Sequence, residues 1–192
     1  MLKYFLLLLI IPVSALSQSK FEIPQLGFSV EPPTDWITVG RDSLDYADAS
    51  LKDFENVFKN EQTVVSYYDT HVARPFPTLD ISVKHKEVSN GGQLMSYAFI
   101  VEEGFKKQRT NYRTQSMSTL EIGKNKGVVL SSVHDVIDNQ GKTVTEYSIL
   151  LILAKGKFLI TLEFQGADPE ANKQVFQAVR QTITLAEPTI GN

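Results

Sequence analysis

Hydrophobic and polar positions alternate with a period near two through most of the second half of the chain. From Tyr112 to Phe164 this strand-like texture forms four long runs. They are parted by Ile122-Gly123 with Lys124 to Gly127, by Asp138-Asn139-Gln140-Gly141, and by Lys155-Gly156-Lys157. Connections this short leave no room for a crossover, so the four runs are expected as antiparallel neighbours in chain order. Tyr147 to Ala154 is apolar at nearly every position, which predicts an inner strand covered on both faces. Nearer the start, Phe21 to Ile23 and Leu26 to Val30 predict two short strands, with the turn supplied by Pro24 to Gly27. Pro32 and Pro33 then remove backbone donors and end the ladder, and Trp36 follows as a core residue under the sheet. Two further strands are predicted at Thr63 to Tyr68 and Thr78 to Val88, with Arg74-Pro75-Phe76-Pro77 as the loop between them.

Helical spacing appears in three places. Between Asp45 and Lys59 the apolar residues are Leu51, Phe54, Val57 and Phe58, with acids near the start as the helix dipole favours. Asn90-Gly91-Gly92 introduces a helix from Gln93 to Gln108, whose buried stripe is Leu94, Ala98, Val101 and Phe105. Gly104 inside it costs about 1 kcal/mol against alanine, which suggests close packing there. Asp168 as N-cap, Pro169 at the first helical position and Glu170 beside the dipole open the last helix. Its stripe is Phe176, Val179 and Ile183, with Val175 alongside. Helices before and after a sheet that needs cover on both sides predict an α+β fold. The expected form is an α/β/α sandwich with a mainly antiparallel central sheet covered by helices on both faces.

Ahead of these elements Lys3 precedes an apolar run, Tyr4 to Val13, that ends in Ser14-Ala15-Leu16-Ser17. A basic residue, a core too short to span a bilayer and small residues for a peptidase make residues 1–17 a secretory signal peptide, with cleavage expected before Gln18. Residues 18–192 then form one domain, long enough to bury roughly 70% of its unfolded surface. The chain has no cysteine. That excludes disulfides, thiol catalysis, thiolate zinc and iron–sulfur sites, and a lipid anchor of the lipoprotein type. No later apolar stretch is long enough to form a transmembrane segment, so the expected location is periplasmic or secreted.

The formal charge of −3 becomes −4 when Lys3 leaves with the leader. Nucleic acid is therefore not an expected partner, since such binding draws on counterion release by a cationic surface. Charge is uneven along the chain. Acids dominate from Glu31 to Glu61, while Lys106, Lys107, Arg109, Arg113, Lys124 and Lys126 are opposed only by Glu121. Lys106, Lys107, Arg109 and Arg113 are the candidate partner-binding residues, as a patch that steers an acidic surface.

Candidate chemistry is sparse. His71, His85 and His134 show no metal-ligand spacing, and no catalytic, cofactor or metal residue is assigned. His85 continues the alternation Ile81, Val83 and is read as the end of a buried strand face. His134 and Asp135 point to opposite sides of a strand, and Glu102 and Glu103 diverge around a helix and are expected at the surface. Tyr67 and Tyr68 likewise alternate, so one of them is core.

The segment FEIPQLGFSVEPPTDW, the helix after NGG, the β meander and the closing helix ending in VFQAVRQTITL resemble the PsbP-like family. Gly27, Phe28, Val30, Pro33, Trp36, Phe176 and Ile183 occupy the family's structural positions. That family includes an extrinsic photosystem II subunit, a Ran-binding nuclear import factor and exported bacterial proteins. The resemblance implies an α/β/α sandwich and a non-enzymatic role, and transfers no functional residue. The expectation is an exported protein-binding or assembly module whose partner is another extracytoplasmic protein. The alternative is a small hydrolase or ligand-binding protein with a site assembled around His134.

Overall fold

A computed structural model describes residues 20–39, 51–71, 77–88 and 91–187. The expected signal peptide, the acid-rich residues 45–50 expected to open the first helix, and Arg74-Pro75-Phe76 lie outside the described residues. The chain runs β1 (Phe21–Ile23), a 3-10 turn (Pro24–Leu26), β2 (Phe28–Val30), β3 (Ile37–Val39), α1 (Leu51–Val57), β4 (Gln62–Tyr68) and β5 (Thr78–His85). It continues through α2 (Gly91–Gln108), β6 (Thr110–Ile122), β7 (Asn125–Ile137), β8 (Thr143–Lys155), β9 (Phe158–Gly166), α3 (Pro169–Thr182) and β10 (Thr184–Leu185).

The four long runs form the expected antiparallel meander, β6-β7-β8-β9. β9 then pairs antiparallel with β5, extending the sheet to the order β3-β4-β5-β9-β8-β7-β6. β8 lies inside this sheet with Leu150 to Leu153 all buried, as its unbroken apolar run requires. Asp168 caps α3 by accepting the backbone N–H groups of Glu170 and Ala171 at 2.9 and 3.1 Å, with Pro169 at the first helical position.

One sheet face carries Leu79, Ile81, Val83, Leu151, Leu153, Ile160, Leu162 and Phe164. It packs against Phe54 of α1 and Phe58 just after it, Phe176 and Val179 of α3, and the small sheet β1-β2-β10. Edge-on ring contacts tie the layers, Phe54 to Phe158 at 5.2 Å and Phe164 to Phe176 at 5.4 Å. The opposite face has a separate core, where Leu94, Tyr97 and Ala98 of α2 cover Val128, Leu130, Leu150, Ile152 and Leu159. Helices thus cover both sides of an antiparallel sheet, and the fold class is α+β.

Several details differ from the sequence-based expectation. β5 stops at His85, and Leu26 belongs to the 3-10 turn because Gly27 adopts φ 58° and restarts the strand at Phe28. β3 and β10 carry no pattern long enough to read. β10 exists because α3 delivers the chain beside β2, where Ala186 N–H donates to Gly27 C=O at 2.9 Å. Trp36 packs only half-buried against the first core, whereas Tyr67 is the buried member of its pair. His85 stacks beside Phe158, ring centroids 5.2 Å apart.

Gly27 is where the chain's closure meets a hard constraint, since a Cβ there would sit 2.3 Å from the Ala186 carbonyl oxygen. Gly156, at φ 57°, has no neighbour within 4 Å of its virtual Cβ. Gly156→Ala is therefore expected to cost about 1–2 kcal/mol from the left-handed backbone alone. Gly27→Ala should cost at least about 1 kcal/mol more by urea unfolding, because β10 must also move away. Equal losses would show that the β2–β10 contact contributes nothing.

Candidate functional site

An α-helix is about 10 Å across, and strands lie about 4.8 Å apart, so one helix covers roughly two of them. α2 packs mainly on β6, β7 and β8, reaches β9 at Leu159, and leaves the rest of its side of β9, β5 and β4 open. That uncovered floor is polar: Thr63 on β4, Asp80 and Ser82 on β5, Thr161 and Glu163 on β9. Between it and α2 runs a cleft of about 450 Å3, walled by Tyr97, Ile100, Val101, Gly104 and Phe105. Gly104 is not closely packed: nothing lies within 4 Å of its virtual Cβ, and its missing side chain widens the cleft.

Glu163 and Asp80 are direct cross-strand partners at the inner end of the floor. Glu163 Oε1 accepts from Arg109 Nη2 at 2.6 Å, Ser148 Oγ at 2.8 Å and Gln165 Nε2 at 3.1 Å. The Arg109 guanidinium lies 3.7 Å from the centre of the Phe105 ring. Asp80 accepts a hydrogen bond from the Ser66 hydroxyl. Burial pushes the Asp80 carboxyl above its ordinary range, and the charge of Glu163 adds to this against the Ser66 hydrogen bond.

At the outer end Tyr97 O–H donates to Glu61 at 3.5 Å, and Lys84 Nζ lies 3.9 Å from the same carboxylate. Lys86 and Lys84 sit over the Tyr97 ring at 4.6 and 5.8 Å. Burial, then the Glu61 charge, pushes the Tyr97 phenol up to about 12, so it remains a donor across the physiological range.

His134 lies on the same sheet face but outside the cleft lining. It is buried in the sheet with Nε2 3.2 Å from the Glu146 carboxylate. Burial, then the nearby Arg109 charge, holds the imidazole below its usual 6.5, and burial raises Glu146. A neutral ring donating from Nε2 leaves Nδ1 as a bare lone pair, in keeping with its lack of a partner in the structure. A pair closed in this way does not reach the cleft, and the structure gives no support to a hydrolytic site around His134. Among the described residues no three His, Asp or Glu side chains are grouped to hold a metal.

The basic quartet does not form one exposed patch. Lys106 Nζ pairs with Glu102 at 3.1 Å and Glu103 at 2.8 Å, while Arg109 turns inward to Glu163. Lys107 and Arg113 are exposed, on the last turn of α2 and on β6. Glu102, expected at the surface, is buried and accepts from the Thr114 hydroxyl, because β6 folds back directly under α2. Asp80 and Glu163 were not singled out from the sequence. The signal was present in Thr78 to Lys84, where Thr78, Asp80, Ser82 and Lys84 mark one polar face of an otherwise apolar strand.

The fold so assembled is PsbP-like. No protein-family model matches the chain, and no curated protein sequence does. Among solved structures it is similar to cyanobacterial PsbP (CyanoP) from Synechocystis sp. PCC 6803, at 14% identity and TM-score 0.60 over 91% of this chain and 96% of that one. It is similar to LpqN, described as involved in cell envelope biogenesis in Mycobacterium tuberculosis, at 14% identity and TM-score 0.53 over 82% of each chain. The Saccharomyces cerevisiae Ran-binding protein Mog1p matches at 11% identity and TM-score 0.50 over 87% of this chain and 94% of that one. At these identities the likeness is one of fold.

Arg109→Met is expected to lower stability by about 2–3 kcal/mol, because it leaves Glu163 uncompensated under α2. Lys107→Met on the exposed side should change it by less than about 0.5 kcal/mol, and adding Glu163→Gln to Arg109→Met should recover part of the loss. Equal effects at positions 107 and 109 in urea unfolding would contradict the inward pairing. For His134, the lowered folded-state pKa means its contribution to stability is complete above 6.5 and is lost as pH falls through the folded value. Glu146, raised above 4.5, contributes with the opposite sign: fully below 4.5 and lost as pH rises through its folded value. His134→Gln should therefore lose less stability than the parent between about pH 7.5 and about pH 5. An identical pH slope would show that the ring is not buried neutral.

Proposed function

We propose that the protein is exported and acts as a non-enzymatic binding or assembly module, holding another extracytoplasmic protein against the half of its sheet that α2 leaves open. The observation that carries this reading is the cleft between α2 and β4-β5-β9, with Ile100 on its wall 63% exposed. A large exposed apolar side chain next to a concave polar floor is the composition of a docking surface with an anchor and a hydrogen-bonding interior. Lys107 adds positive charge near the far end of α2 and steers an acidic rim on the partner. The basic end, apolar core and small-residue patch of residues 1–17 support export, to the periplasm or the medium. A fold shared with a Ran-binding protein and with an envelope-biogenesis protein suits a scaffold that works by contact.

The test is affinity capture with the full chain, tagged at its C-terminus and expressed in its own host, from envelope and medium fractions. Parent protein should retain one stoichiometric protein partner, and Ile100→Lys should reduce that retention at least tenfold with an unchanged melting temperature. N-terminal sequencing of the captured bait should begin at Gln18. Equal retention by Ile100→Lys would move the interface off this face, and a bait beginning at Met1 would contradict export through a cleaved leader.

A further inference from the structure

The cleft has two ends that differ in how their charges are met. At the outer end Glu61, Lys84, Lys86 and Tyr97 answer one another through the ion pair, the hydrogen bond and the two cation–ring contacts. At the inner end two carboxylates, Asp80 and Glu163, stand directly opposite each other on neighbouring strands. Like charges in that position repel and destabilise a sheet unless something neutralises them. Arg109 neutralises only one, its Nη2 lying 2.6 Å from Glu163 Oε1. The guanidinium lies on Phe105 and is not part of the cleft lining. Asp80, which does line the cleft, has among the described residues a neutral hydroxyl, that of Ser66, as its hydrogen-bond partner.

We propose that Asp80 is the anchor for a cationic side chain, arginine or lysine, inserted into the inner end of the cleft by the docked partner protein. The walls suit such a group. Ile100, Val101, Phe105 and Leu150 offer apolar surface to a methylene stem, and Ser82, Thr161 and Glu163 offer acceptors around the charged head. The space, about 450 Å3, falls within the range of small-ligand sites and admits a side chain together with part of its neighbours. A planar guanidinium would also match the paired carboxylates as a two-pronged donor. The upward displacement of the Asp80 carboxyl by burial and by Glu163 is the same uncompensated charge seen from the proton's side.

The identity of the donor as a partner protein rests on the docking reading above, whereas the site itself does not. The probe is Nα-acetyl-arginine N-methylamide, titrated into 15N-labelled protein and followed by amide NMR. Saturable shifts at Asp80, Thr161, Glu163 and Gly104 are expected, with none from the corresponding acetyl-glutamate amide. Asp80→Asn, which keeps an acceptor for Ser66, should weaken binding at least tenfold without disturbing the rest of the spectrum. No shifts from the arginine probe, undiminished binding by Asp80→Asn, or binding of the glutamate probe at the same amides would each overturn the proposal. Because the probe needs no partner, its failure leaves the Ile100→Lys capture result to stand or fall separately.

Discussion

Seven strands spaced about 4.8 Å apart make a sheet roughly 30 Å wide, and a single helix of about 10 Å cannot cover it. Most of what is particular to this protein follows from that mismatch. On one face α1, α3 and the small sheet together hide the apolar side chains of β4, β5, β8 and β9. On the other face α2 is the one covering helix among the described residues, and it seals β6, β7, β8 and the Leu159 end of β9. On β4, β5 and β9 the residues that floor the cleft are correspondingly hydroxyl-bearing or charged. The cleft is the step between the covered and the uncovered half.

Charged groups near that step are held by pairing at the margin of the second core. Arg109 reaches from the end of α2 to Glu163 in the middle of the sheet, and His134 on β7 meets Glu146 directly opposite on β8. Neither arrangement adds much net stability, because desolvation offsets most of the Coulombic gain. What such pairs do enforce is register. A slip of one residue in β8 or β9 would turn Glu146 or Glu163 into the apolar core on the opposite face. The polar half of the sheet and the alignment of its strands are thus maintained by the same residues.

The sequence was most informative where local chemistry decides structure. The meander was legible because three short turns leave no alternative to antiparallel neighbours, and the start of α3 because Asp168 and Pro169 each act within one turn. Elements made by distant parts of the chain were not legible. β10 is two residues long and becomes a strand only because Gly27 lets Ala186 approach β2. The candidate site suffered most from reading charges by their spacing. Lys106, Lys107, Arg109 and Arg113 are close in the chain, yet the turn of α2 and the residue after it send Lys106 to Glu102 and Glu103, Arg109 inward and Lys107 outward, with Arg113 on the next strand. Asp80 and Glu163 are 83 positions apart and meet only through the β5–β9 pairing.

The central claim is that the half of the sheet left bare by α2 is where this protein meets its partner. Site-specific photocrosslinking tests it most directly, with a benzophenone side chain placed either at Ile100 beside the cleft or at Gln177 on the exposed side of α3. Irradiation of living cells should give a discrete crosslinked protein from position 100 and none from position 177. A crosslink from position 177 alone, or none from position 100 while the protein still co-purifies with a partner, would contradict the account.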